Sequence, residues 1–94
     1  MTLAEFRESP NEPEDLSAPL RALWLDAAGD WEAAHHRVQP DESTEAAWVH
    51  AYLHRKEGDG SNAGHWYVSA GKPRHQGSFE AEWEEIARAL LTKG

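Results

Sequence analysis

Six histidines stand in this chain of 94 residues: His35, His36, His50, His54, His65 and His75. The set with the most suggestive spacing is His50, His54 and Glu57. Positions i, i+4 and i+7 place all three side chains on one face of a helix. Two imidazoles one turn apart can bind zinc or another divalent transition metal, and a carboxylate one turn further on can supply a third ligand. His36 and His65 each follow a Gly-Asp pair at the same distance, so either could approach from a neighbouring helix. A plainer reading competes with this one. The segment around these residues is apolar at most other positions and needs one wet stripe, which His50, His54 and Glu57 would supply. The metalloprotease pattern His-Glu-x-x-His is absent, because Ala51 stands where its Glu belongs. Two imidazoles and one exposed carboxylate form an incomplete site, so the expected metal affinity is no better than weak micromolar.

Other chemistry is poorly represented. Gly58-Asp59-Gly60 lacks the Gly-Lys-Ser/Thr that completes a phosphate loop and fits a turn between helices. No Gly-x-Ser-x-Gly elbow is present. Ser17, Ser43, Ser61 and Ser78 suit turns and helix caps, and Ser69 has no base beside it in sequence. No catalytic residue is assigned, and an enzyme is not the leading expectation. The chain has no cysteine, which excludes disulfides and thiolate metal sites. Glu32, Glu82, Glu84 and Glu85 read as solvated helix faces.

Charge narrows the choice of partner. Nine Lys and Arg against 17 Asp and Glu give a formal net charge of -8. An acidic surface repels phosphate backbones and anionic lipid, so neither nucleic acid nor membrane is expected as a partner. No apolar run approaches the roughly 20 residues of a membrane span. The first 15 residues lack the basic and apolar regions of a secretion signal. The expected compartment is the cytoplasm.

The elements that must position these residues are helices. Residues 1–12 read as a flexible arm and 13–94 as one helical domain. Asn11, Pro13 and Glu14 suit a helix start, followed by the stripe Leu16, Leu20, Leu23, Trp24 and Ala27. A short helix spans Trp31–Val38, and a third runs from a cap at Asp41 or Ser43 to about Glu57. The fourth covers Asn62–Ala70. The last is capped by Ser78 and carries Phe79, Trp83, Ile86, Ala87 and Leu90. Trp24 and Trp83 lie on amphipathic stripes and are expected in the core. Trp66 and Tyr67 are adjacent and point about 100° apart on a helix, so one of them must meet a second neighbour or line a groove. Packing of Trp66 on the last helix is the simpler expectation.

Gly29-Asp30-x-x-x-Ala34 and Gly58-Asp59-x-x-x-Ala63 repeat one pattern 29 residues apart. The expected fold is therefore all-α, with two stacked helix-turn-helix units closed by a C-terminal amphipathic helix. Ala47-Trp48, Gly58-Asp59, Ala63, Tyr67 and Ala70 resemble the corresponding positions of tetratricopeptide repeats over about residues 15–71. The first unit departs from that pattern, with Arg37 in place of an aromatic. The stretch Ala47-Trp48-Val49-His50-Ala51-Tyr52-Leu53-His54-Arg55, continuing through Glu57-Gly58-Asp59, Asn62-Ala63 and Trp66-Tyr67, also resembles a family of small uncharacterised bacterial helical proteins. That resemblance implies a bacterial source and no particular activity. The tetratricopeptide likeness implies a non-catalytic interaction or scaffold module for a protein or peptide partner. Its contact face would carry His50, His54, Arg55, Trp66 and Tyr67. The alternative is a small metal-binding protein or metal-dependent enzyme using His50, His54 and Glu57.

Overall fold

The computed structural model describes residues 1–92, which form six helices and no strand. They are α1 (Leu3–Glu8), α2 (Ala18–Ala27), α3 (Trp31–Val38), α4 (Thr44–Glu57), α5 (Gly60–Ala70) and α6 (Phe79–Thr92). The all-α expectation holds. Helix α2 packs chiefly on α3, and α4 on α5, giving two helical hairpins. Contacts of α4 with α3 and α2 join the hairpins, and α6 lies against α4, α2 and α1. No helix among the described residues is long and apolar enough to cross a membrane.

The Gly-Asp repeat has a clear local cause. Gly58 ends α4 at φ +89°, a left-handed conformation that costs a side-chain-bearing residue energy. Its N–H donates to the Arg55 carbonyl, and the Asp59 N–H donates to the His54 carbonyl, which satisfies the last turn. Asp59 then accepts from the Asn62 N–H at 3.2 Å and caps α5. Gly29 and Asp30 do the same between α2 and α3, with Asp30 accepting from the Ala33 N–H at 3.0 Å. Two residues thus end one helix and start the next. Ala34 and Ala63, the alanines of the pattern, are both buried where the helices of each hairpin meet.

Four sequence expectations are corrected. Residues 1–12 are not a free arm. Thr2 and Glu5 form a reciprocal capping box that starts α1. Phe6 is fully buried and stacks on Trp83 at 5.7 Å between ring centroids. Glu12 accepts from Arg21 at 2.7 Å and from Arg37 at 2.8 and 2.9 Å, which ties the segment to α2 and α3. Helix α2 starts later than expected, because Ser17 precedes it and Pro19 occupies its first turn. Trp24 is only half-buried, its indole N–H donating to the Ser9 carbonyl of the N-terminal segment at 3.1 Å. Trp83 is core as expected, and its indole N–H donates to the Leu23 carbonyl at 2.8 Å.

The fourth correction concerns Glu82, expected on a wet face and in fact buried. Its carboxylate accepts from the Tyr67 hydroxyl at 2.5 Å and from Arg55 at 3.0 Å. Asp26 is its counterpart on α2, accepting from the Tyr52 hydroxyl at 2.6 Å and from Lys56 at 3.0 Å. Burial, followed by the adjacent carboxylate, pushes both tyrosine hydroxyls above their ordinary range. Buried carboxylates are tolerated here because each is paired and hydrogen-bonded.

Candidate metal centre

Helices α3 and α4 face each other through histidines. On α4, His50 and His54 lie one turn apart and are both buried, with 4% and 6% of their surface exposed. His35, on the facing side of α3, is half-exposed. Its Nε2 lies 2.9 Å from the Nε2 of His50. Each of the three imidazoles brings one ring nitrogen within 4.8 Å of those of the other two. A tetrahedral ion with bonds of about 2.0–2.1 Å needs its nitrogens about 3.3 Å apart. The His35–His50 edge is slightly shorter than this, and the other two edges lie within 4.8 Å.

The surroundings fix these rings. Asp30 caps α3 and sets Trp31 in its first turn. The Trp31 indole N–H donates to the Leu53 carbonyl of α4 at 2.8 Å, which fastens the two helices at the cluster. Trp31 stacks flat on His35, with centroids 5.0 Å apart and planes at 6°. Trp66 stacks on His50 at 4.0 Å and 13°. Glu57 holds the third ring, its Oε1 lying 2.7 Å from His54 Nδ1. An imidazole whose Nδ1–H donates to a carboxylate presents its Nε2 lone pair on the opposite side of the ring.

Burial keeps His35 and His50 neutral. Burial, reinforced by His35, His54 and His65, pushes His50 down to about 4. Burial and then His54 lower His35 in the same direction. At neutral pH the Nε2 atoms of His35 and His50 therefore share a single proton, one ring donating to the lone pair of the other. Neutral imidazole is also the form that ligates metals.

Of the residues expected to bind a metal, His50 and His54 converge, while Glu57 is turned to His54 Nδ1. The third imidazole is His35, not His36 or His65, both of which are exposed. The sequence signal for His35 was its place one turn after Trp31. That spacing marks a shared helix face, but it does not reveal that the face meets α4. His54, Glu57 and Asp59 also bring ligand atoms within 4.8 Å of one another. There, however, His54 and Glu57 already bond each other and Asp59 caps α5.

The five residues expected to form one contact face divide between two clusters. His50, His54 and Trp66 belong to the histidine cluster. Arg55 and Tyr67 meet Glu82 of α6 instead. It is thus Tyr67, rather than Trp66, that reaches the closing helix. Of these five, His50, His54 and Tyr67 are buried, and Trp66 is half-buried.

Comparison with known proteins yields no match to a family model, a curated protein or a solved structure.

Proposed function

We propose that the protein binds a divalent transition-metal ion of the imidazole-preferring class, such as zinc, through His35, His50 and His54. The observation that carries this reading is the convergence of three imidazole nitrogens from two helices. The contact between Glu57 and His54 supports it, because a carboxylate behind a ligating imidazole fixes the ring and raises its basicity. The third imidazole changes the affinity expected from sequence. Two helix-borne histidines make half a site; three held in place by indole stacking and a carboxylate make a pre-organised one. Ligands from both α3 and α4 mean that the ion clamps the first hairpin to the second, so binding and folding are coupled.

Calorimetric titration of chelator-treated protein with zinc tests this. We expect one ion per chain and a Kd tighter than about 1 µM. His35→Ala and His50→Ala should each abolish or greatly weaken binding. Glu57→Gln should weaken it about 10- to 100-fold, as expected for a residue that orients a ligand. His36→Ala and His65→Ala should leave it unchanged. Trp31 and Trp66 lie against the ligand rings, so nickel or copper should quench their fluorescence with the same stoichiometry. Titration without saturable heat, or zinc binding that survives His35→Ala and His50→Ala, would refute the proposal.

A further inference from the structure

The number of ligands at this site bears on what the ion could do there. Structural zinc sites are closed by four protein ligands, whereas reactive ones use three and leave a position for water or substrate. Three imidazoles converge here, and no fourth ligating side chain joins that group among the described residues. The nearest carboxylate, Glu57, lies behind the His54 ring, engaged at Nδ1. His36 meets His35 only edge to edge, at 6.5 Å between centroids. His65 meets Trp66 edge-on at 5.2 Å. Neither belongs to the converging group.

The cluster has a wet side and a dry side. His50 and His54 are buried, whereas His35 is half-exposed and flanked on α3 by the exposed Glu32 and His36. His35 is therefore the ring of the three that meets solvent. Charge then selects what binds there. Three neutral imidazoles leave the two positive charges of an ion uncompensated among its direct ligands, which favours an anionic fourth ligand. The stacked indoles of Trp31 and Trp66 flank the His35 and His50 rings.

We infer that the bound ion keeps one exchangeable coordination position on the His35 side, taken by water or by a small monodentate anion such as a carboxylate. The centre is then of the reactive type, able to polarise an oxygen ligand or to lower the pKa of a water toward about 7. This rests on the three-histidine reading above, and the experiment separates failure of the one from failure of the other.

Cobalt(II) added to the chelator-treated full chain provides the probe, because its visible absorption reports coordination number and ligand exchange. We expect a four-coordinate spectrum that disappears in His50→Ala. Sodium azide should shift its bands saturably, with isosbestic points and with cobalt still bound after gel filtration. Raising pH from about 6 to about 9 without azide should shift them as well, as the bound water loses its proton. The His36→Ala/His65→Ala double variant should give the same azide response. A His50-dependent cobalt spectrum that ignores both azide and pH would show that a protein group closes the site and would overturn this inference while leaving metal binding intact. An azide response confined to the double variant would overturn it in the same way. Absence of any cobalt spectrum would overturn both.

Discussion

Glu82 offers the sharpest test of how this fold is held together. Its carboxylate is 1% exposed and serves two donors on two different helices. The Tyr67 hydroxyl donates to it at 2.5 Å from α5, and Arg55 donates at 3.0 Å from α4. A second guanidinium nitrogen of Arg55 donates to the Gly77 carbonyl in the loop before α6, and the group lies over the Phe79 ring at 4.7 Å. Glu82→Ala removes the acceptor, leaving a buried hydroxyl unpaired and a half-buried cation without its counter-charge. Breaking a buried pair in this way costs about 3–5 kcal/mol. Glu82→Gln keeps a carbonyl acceptor in place but loses the charge. Hydrogen bonds to charged groups contribute about 1.5–3 kcal/mol against about 1 for neutral ones, so its loss should be about 1–3 kcal/mol. Tyr67→Phe leaves the Arg55–Glu82 pair intact and should cost about 1.5–3 kcal/mol. Because Tyr67 and Glu82 share one bond, the Glu82→Ala/Tyr67→Phe double variant should lose less than the sum of the singles, by more than about 1 kcal/mol. Urea unfolding followed by tryptophan fluorescence measures all four. Losses below about 1 kcal/mol for Glu82→Ala, or strict additivity in the cycle, would mean that the carboxylate is hydrated and the reasoning is wrong.

Three further outcomes follow from the same structure. In chelator, the folded chain should lose stability as pH falls. His50 sits at about 4 when folded against about 6.5 when free, so between those values the unfolded chain binds more protons; the contribution is complete above about pH 6.5, gone by about pH 4 and about 3 kcal/mol in size. His50→Gln should flatten that dependence in urea titrations run from about pH 4 to about pH 7.5, and an unchanged slope would contradict the burial of the ring. Phe6→Ala should cost about 3–5 kcal/mol in urea unfolding, because the ring is fully buried against Trp83; a midpoint equal to that of the parent would mean that the N-terminal segment does not dock. Gly58→Ala meets no atom within 4 Å but must hold φ +89°, so thermal or urea unfolding should show a loss of about 1–2 kcal/mol from backbone strain alone.

What was legible in the sequence was mostly local. The start of α3 and the joint between α4 and α5 follow from Asp and Gly placed where a helix must stop and another begin. The amphipathic stripe of α6 follows from Trp83, Ile86, Ala87 and Leu90. Misreadings came from weak signals or from tertiary pairing. The N-terminal segment carries few apolar groups, and its acidity suggested solvent, yet Thr2-x-x-Glu5 is a capping box written in the sequence. Glu82 was assigned to water by residue type, although it stands four residues before Ile86, on the buried side of the helix. A charge on that side needs partners from other helices. Nothing in the spacing along α6 announces Tyr67 or Arg55.

The histidine site shows the same division, and α4 explains it. This helix is buried along nearly its whole length from Ala46 to His54. A helix covered on all sides must meet a different neighbour on each face, and its polar residues sort accordingly. Tyr52 and Lys56, one turn apart, turn to Asp26 on α2. Arg55 turns to Glu82 on α6. His50 and His54, also one turn apart, turn to His35 on α3. Each pair was visible as an i, i+4 spacing, but the identity of its partner was set by the hairpin topology. On two faces the partner is a carboxylate that completes a charge pair. On the third it is another imidazole, whose Nε2 lies 2.9 Å from that of His50. Three imidazoles from two helices therefore meet in an indole-flanked corner, and that convergence is what the proposed ion would use.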